Sequence, residues 1–211
     1  DFGLKNHATV SYNTLSDLDR GISVYGGTDI FYGDIFQTVA RGLSLKSNNF
    51  FNIGYAGIFS WGDLIYSNFI ANNKIKMTNP EWGPAIYSTG HDEKYISNTI
   101  SGYGTPAVYL GGGDSTADGG GAWGAYHEYF FANSVSGFTP NWAPWHYELD
   151  GYTHDNVVIG LRFENATYMD YGINNIFKFV YPYFSLTMTT SQMSPTSLKV
   201  QQKPKKDAAT I

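Results

Sequence analysis

The chain has 211 residues, of which 17% are aromatic and only 15% are charged, with a net charge of −5 and no Cys. This length fits one domain with a sizeable core, and the lack of Cys excludes disulfides and thiolate metal sites. Basic residues cluster only at 203–206 and no stretch approaches 18 apolar residues, so the sequence predicts neither a nucleic-acid partner nor a membrane span.

Two kinds of short strand recur along the chain at a period of roughly 21–26 residues, which is typical of a stacked solenoid. The first kind comprises Gly21–Tyr25, Gly42–Lys46, Gly57–Trp61, Gly83–Tyr87, Thr105–Tyr109 and Ala143–Tyr147. The second kind begins with Asn and comprises Asn13–Ser16, Asn73–Lys76, Asn98–Ser101 and Asn133–Ser136. No helical segment separates them, so the pattern predicts an all-β solenoid of short strands and turns.

Alternation within the first kind of strand predicts which side chains face outward. The second and fourth positions are mostly apolar and are expected to point into the solenoid. The third and fifth positions are then expected to point outward and to stack from coil to coil. This predicts an outward aromatic ladder formed by Tyr25, Trp61, Tyr87, Tyr109, Trp145 and Tyr147.

These repeats resemble the right-handed parallel β-helix proteins of the pectate-lyase-like superfamily, over about residues 6–175. The resemblance rests on the Asn-x-Ile strand followed by Gly-Ile-x-Val or Gly-Pro-Ala-Ile-Tyr. It implies a long glycan lying along the outer face of one parallel sheet, in proteins that include polysaccharide lyases, hydrolases and often trimeric phage tailspikes. The chain departs from the family in having few coils and no recognisable pectate-lyase Asp cluster with a catalytic Arg.

The composition divides the chain into a β-helix at 1–188 and an extended or disordered tail at 189–211. A Gly-rich loop at 111–125 interrupts the coils. We expect this loop to fold over the outer face and to place Trp123 near Tyr109 or Tyr147, as one wall of a groove. The alternative is a loop without fixed structure.

Acidic and His residues concentrate after the regular coils. Cleavage of a sugar polymer needs residues of these types. Glu148 and Asp150 share one parity of a strand and are expected on one face, about 7 Å apart. Such a carboxylate pair suits acid–base work in a polysaccharide lyase or glycoside hydrolase, with His127 close by. The alternative interpretation is that these carboxylates only cap turns.

Two further sets of residues have a functional and a structural interpretation. Asp114 and Asp118, in the Gly-rich loop, offer the oxygen ligands that Ca²⁺ prefers, or belong to a metal-free turn. Arg20 and Arg41 each precede a repeat Gly, and either stack as an Arg ladder or are solvated turn residues. Beyond Ca²⁺ the sequence predicts no cofactor.

The sequence therefore predicts an extracellular or surface protein that binds, and in an enzymatic version cleaves, a polysaccharide along its aromatic ladder. The alternative is a non-catalytic subunit of a surface or virion assembly, a homo-oligomer packed through its aromatic face and C-terminal arm. Interfaces are also rich in Tyr and Trp. The chain begins at Asp1, from which we expect a processed piece of a larger protein or assembly.

Overall fold

The structure, a computed structural model, describes residues 7–31, 34–78, 83–102, 106–114, 122–137, 147–159, 162–163, 168–181 and 184–189. All regular elements in these ranges are strands. In chain order they are β1 (Thr9–Ser11), β2 (Thr14–Tyr25), β3 (Gly27–Phe31), β4 (Asp34–Thr38), β5 (Ala40–Arg41), β6 (Ser44–Lys46), β7 (Asn49–Trp61), β8 (Ile65–Tyr66), β9 (Phe69–Ala71), β10 (Lys74–Met77), β11 (Ile86–Ser88), β12 (Lys94–Ile96), β13 (Thr99–Gly102), β14 (Val108–Leu110), β15 (Gly112–Asp114), β16 (Ala122–Gly124), β17 (Tyr129–Phe131), β18 (Ser134–Ser136), β19 (Tyr147–Leu149), β20 (Val157–Ile159), β21 (Arg162–Phe163), β22 (Tyr168–Asp170), β23 (Ile176–Tyr181) and β24 (Phe184–Thr189).

The strands coil into a parallel β-helix with three faces, which confirms the predicted fold class. Face 1 consists of β1, β6, β9, β12, β17, β20 and β23. Face 2 consists of β10, β13, β18 and β21 with the first halves of β2 and β7, and face 3 of β11, β14, β19 and β22 with their second halves. One coil is a passage through faces 1, 2 and 3 in that order.

Stacked apolar side chains fill the space between the faces. The inward row of face 1 contains Leu45, Ile70, Tyr95, Phe130, Val158 and Phe177, and each residue pairs with the next. The corresponding row on face 2 contains Phe50, Ile75, Ile100 and Val135. The row on face 3 contains Ile58, Ile86, Val108, Tyr147 and Tyr168. These side chains are at most 5% exposed, so the inward side chains of all three faces form one continuous core.

A ladder of buried Asn side chains closes the corner between faces 1 and 2. Each Asn carboxamide oxygen accepts hydrogen bonds from the backbone N–H and the side-chain NH₂ of the preceding ladder member, at 2.9–3.1 Å. Each NH₂ from Asn48 onward also donates to a backbone carbonyl of face 1. The members are Asn13, Asn48, Asn73, Asn98 and Asn133. The Asn that opens each second-kind strand is therefore a hydrogen-bonding link between coils, and every member after the exposed Asn13 is buried.

Antiparallel hairpins depart from the parallel coils. β3 pairs with β4 after the first coil, β15 pairs with β16 inside the Gly-rich insertion, and β24 folds back on β23 at the end of face 1. The described part of the chain contains no helix of the length and apolarity that crossing a membrane requires.

The predicted alignment of the six recurring strands is wrong in register, although the inward and outward parities mostly hold. Segment 42–46 belongs to face 1, because β6 pairs with β1 and β9. On face 3, Tyr87 pairs with Phe59 and not with Trp61. Tyr147 was predicted to face outward, but it pairs with Val108 and is fully buried, so Glu148 takes the outward place. Period-two alternation cannot detect a shift of two residues, because such a shift leaves every side chain on the same face.

Candidate functional site: the outer aromatic cluster

Aromatic side chains gather on the outer surface of face 3. One outward row runs through Ser23, Phe59, Tyr87, Tyr109, Glu148 and Met169, and a neighbouring pair consists of Tyr25 and Trp61. Tyr55 precedes this face on β7 and packs against Phe59. We call Tyr25, Tyr55, Phe59, Trp61, Tyr87 and Tyr109 the outer aromatic cluster. It brings together four of the residues that the sequence predicted as substrate-binding.

The rings of the cluster contact one another from coil to coil. The Tyr87 ring lies 4.9 Å from Phe59, 5.1 Å from Tyr109 and 5.7 Å from Trp61, between ring centroids. Tyr25 lies 5.9 Å from Phe59. Such pairs contribute roughly 0.5–1.5 kcal/mol each beyond area burial, so the cluster is a rigid surface.

The cluster consists of buried rings and of exposed rings that a ligand could contact. Phe59 and Tyr87 are only 6% and 7% exposed, whereas Tyr25 and Trp61 are 50% and 40% exposed. Tyr109 is partly exposed. Tyr55 is partly exposed as well, so the rings available to a ligand are Tyr25, Tyr55, Trp61 and Tyr109, which surround the two buried rings.

Arg20 lies at the first-coil end of the cluster. Its guanidinium carbon is 4.1 Å from the centroid of Phe59 and 4.8 Å from that of Tyr55, and its Nη1 donates to the Tyr25 hydroxyl at 2.7 Å. Arg20 and Arg41 do not stack as the Arg ladder that was one of two interpretations of the sequence, because Arg20 pairs with Ala56 on β7 while Arg41 pairs with Tyr66 on β8. Arg20 instead adds a positive charge stacked on aromatic faces.

Carboxylates lie at the opposite end of the cluster, around Tyr109. Glu148 is the next member of its outward row. Asp150 accepts hydrogen bonds from the backbone N–H of Gly112 at 2.8 Å and of Tyr152 at 3.0 Å, and from the Tyr109 hydroxyl at 3.4 Å. Asp150 thereby ties the Gly-rich insertion to the end of β19, a turn-capping role that the sequence left as its alternative.

Burial and charge shift the proton equilibria at this acidic end. Burial raises the pKa of Tyr109, and the negative charges of Asp150 and Glu148 raise it further, so the phenol is a proton donor and not a base. Burial also raises the pKa of the Asp150 carboxyl, against the opposing effect of the hydrogen bonds from Tyr152, Gly112 and Tyr109. A carboxyl whose pKa is raised is a candidate general acid, so Asp150 can take that role.

His127 lies at a different corner, before face 1, beside a stack of side chains that we call the corner ladder. The members of the corner ladder are Tyr66, His91, Tyr126, His154 and Ile173. The rings of the first four are parallel, with centroids 4.5–5.1 Å apart. His127 Nδ1 lies 3.2 Å from Asp92, and its ring packs edge-on against Tyr126. The described contacts of His127 thus place it with the corner ladder and not with Glu148 or Asp150.

Hydrogen bonds hold the carboxylates beside the corner ladder. Slight burial by itself would raise the pKa of Asp92, but hydrogen bonds with His91 and His127 outweigh it and the pKa is lowered. His154 bonds to Asp155 in the same way, at 2.9 Å. Within the described ranges no group of three or more His, Cys, Asp or Glu side chains could hold a metal ion.

Several predicted site residues lie outside what the structure describes. Trp145 and Asp118 fall in undescribed segments, and only the backbone of Asp114 and Trp123 is described, in β15 and β16. The Ca²⁺ site and the groove wall formed by Trp123 therefore stay predictions.

Sequence reasoning missed Phe59 and Tyr55 as members of the cluster, and it missed a buried pair of carboxyls, Glu93 and Glu128. Phe59 stood at an outward third position, but the misaligned register left it out of the predicted ladder. Comparison of the chain with protein-family models, with curated proteins and with solved structures finds no match.

Proposed function

We propose that this chain is a β-helix module of the pectate-lyase-like kind, extracellular or on a surface, that binds a polysaccharide along the outer aromatic cluster. The observation that carries the proposal is the row of contacting rings, with Tyr25, Trp61 and Tyr109 accessible from outside. Amphipathic aromatic rings of this type bind partners that are apolar on one side and wet on the other, and a sugar ring has both properties.

The dimensions of the cluster favour a linear polymer over a small ligand. The strands that carry it lie in successive coils, β2, β7, β11 and β14, with Glu148 on β19 next. Four steps between parallel strands amount to about 19 Å. A ligand along this row would meet the Arg20 cation at one end and the Glu148 carboxylate at the other, which would select its direction.

Loss of two accessible rings together should weaken binding. The double variant Trp61→Ala/Tyr109→Ala removes two ring contacts worth about 0.5–1.5 kcal/mol each, so retention should fall by roughly 5- to 150-fold. Affinity electrophoresis in gels containing neutral and uronic-acid polysaccharides measures this. Phe131→Ala, which removes an aromatic ring that is 42% exposed on face 1, is the matched control and should bind like the wild type. Equal retention of all three proteins would refute the proposal.

Cleavage, if the module is an enzyme, belongs at the acidic end, where Asp150 would donate a proton and Glu148 would act as base. Release of reducing ends indicates hydrolysis, and ultraviolet-absorbing unsaturated ends indicate elimination. Asp150→Asn should abolish either product while leaving retention on the gel intact. Product formation that survives this change would rule out the acidic end as the reaction centre.

A second candidate function is that of a structural subunit in a surface assembly. Large apolar side chains recur at exposed positions away from face 3, including Tyr12 at 83%, Phe51 at 41% and Phe131 at 42%. Exposed aromatic side chains are enriched at protein interfaces. Light scattering on the full chain distinguishes the candidates, since a subunit would be a stable oligomer that Phe51→Ser/Phe131→Ser dissociates.

A further inference from the structure

Two carboxyls are buried inside the solenoid at the corner that precedes face 1. A ladder of polar side chains runs through this corner, and its members are Asn68, Glu93, Glu128, Asn156 and Asn175. Glu93 is 1% exposed and Glu128 is fully buried. The ladder thus carries Glu in two consecutive coils where its other members are Asn.

The hydrogen bonds around the pair are unequal. The Glu93 carboxylate accepts from Asn68 Nδ2 at 2.7 Å, from the Tyr95 hydroxyl at 2.7 Å and from the Ser88 hydroxyl at 2.9 Å. Glu128 Oε1 lies 3.4 Å from the Ser88 hydroxyl, and Glu128 Oε2 is buried without a hydrogen-bond partner among the described groups. Three donors stabilise a charge on Glu93, and Glu128 has no comparable set.

The Ser88 hydroxyl has one proton to donate and lies between the two carboxyls. That proton goes to Glu93, the nearer carboxylate, and the Ser88 oxygen already accepts from the backbone N–H of Gly90 at 3.1 Å. An ionised Glu128 would therefore lack a strong donor of its own, because Ser88 lies 3.4 Å from Glu128 Oε1 and only 2.9 Å from Glu93. A neutral Glu128 also removes the cost of burying two negative charges side by side.

We propose that Glu93 and Glu128 share a single proton inside the solenoid, carried by Glu128, and that loss of this proton at higher pH loosens the two coils that they join. Burial raises the pKa of Glu128 well above its ordinary value of 4.5, and the negative charge of Glu93 raises it further. The loosening would reach the outer aromatic cluster, because Ser88 directly follows Tyr87 on β11.

The surroundings of Glu128 offer no described cation to replace the proton. The preceding coil presents Glu93 and Tyr95, with the exposed Asp92 adding a weaker negative charge. The following coil presents the neutral Asn156, which accepts from the backbone N–H of Glu128 at 2.8 Å. The adjacent His127 is exposed and bonds to Asp92.

The direction of the pH effect follows from the raised pKa. Between pH 4.5, the ordinary pKa of a Glu carboxyl, and the raised pKa of Glu128 in the folded chain, Glu128 binds more protons in the folded chain than in the unfolded chain. The contribution of Glu128 to stability is therefore full below pH 4.5 and is lost as the pH rises through that window. Its loss lowers the folded-to-unfolded ratio by about tenfold per pH unit.

The test compares wild type, Glu128→Gln and the exposed control Asp63→Asn by urea unfolding from pH 5 to pH 9. Glu128→Gln should gain stability relative to wild type by about tenfold in the folding equilibrium per pH unit across the window, because Gln stays neutral. Asp63→Asn should follow the wild type. Parallel pH profiles for wild type and Glu128→Gln would overturn the proposal, as would stabilisation of the wild type alone by added Ca²⁺ or K⁺ at pH 8.

Infrared spectroscopy gives a second readout that does not depend on stability. The wild type at pH 7 should contain a carbonyl band from a protonated carboxylic acid that Glu128→Gln lacks. If Glu128→Gln does not fold, the same band should persist in Asp150→Asn, whose substitution removes the other carboxyl with a raised pKa. Absence of a protonated-acid band in the folded protein would overturn the proposal.

Discussion

Replacing Phe130 by Ala should lower the free energy of unfolding by about 3–5 kcal/mol, the usual range for a fully buried Phe. Phe130 is 0% exposed, and its ring stacks 4.3 Å from Tyr95 and contacts Tyr147 edge-on at 6.3 Å. Truncation would leave a cavity between coils that these neighbours cannot fill, since each is held by its own strand. Urea unfolding at constant m-value measures the loss.

The next residue, Phe131, provides the control. It belongs to the same strand, β17, but points outward and is 42% exposed, so Phe131→Ala should cost less than about 1 kcal/mol. Similar losses for the two variants would mean that face 1 is not oriented as described.

Replacing Asn98 by Ala should cost about 3 kcal/mol or more, because it breaks a buried ladder from both sides. The Asn98 oxygen accepts from the backbone N–H and the side-chain NH₂ of Asn73, at 3.0 Å each. Its NH₂ donates to the Ile70 carbonyl at 3.0 Å and to Asn133 at 2.9 Å. Each buried donor or acceptor left without a partner costs about 1–3 kcal/mol.

Asn13 is the matched control for the ladder, because it is the exposed first member. Asn13→Ala leaves groups that water can reach, so we expect a loss below about 1 kcal/mol. Thermal unfolding of both variants measures the difference. A loss at Asn98 no larger than at Asn13 would contradict a buried ladder.

The fold could be predicted from the sequence because repetition is a property of the pattern as a whole. The Asn that opens each second-kind strand marks the coil, and Asn73 and Asn98 stand 25 residues apart. Register could not be predicted in the same way. Alternation reads the same after a shift of two residues, which is why Tyr87 was aligned with Trp61 when it pairs with Phe59. The unequal spacing of the repeats before Tyr147 hid the one-residue shift that buries this residue.

The candidate site could be predicted from the sequence only where strand alternation alone decides whether a side chain faces outward. Outward Tyr and Trp on face 3 were identified despite the register error, because parity alone decides that they face outward. Glu93 and Glu128 were not, because a Glu in a turn is normally solvated, and only the stacking of coils places these two in the interior.

The central claim, that the outer aromatic cluster binds a polysaccharide, is tested most directly by titrating oligosaccharides of increasing length into the protein. The oligosaccharides are prepared from a polysaccharide that the affinity gels retain, and calorimetry gives the affinities. Affinity should rise with length until the ligand covers the distance of about 19 Å from β2 to β19, and then level off. In Trp61→Ala/Tyr109→Ala the rise should be lost. Retention of no polysaccharide, or the same length dependence in the variant as in the wild type, would contradict the claim.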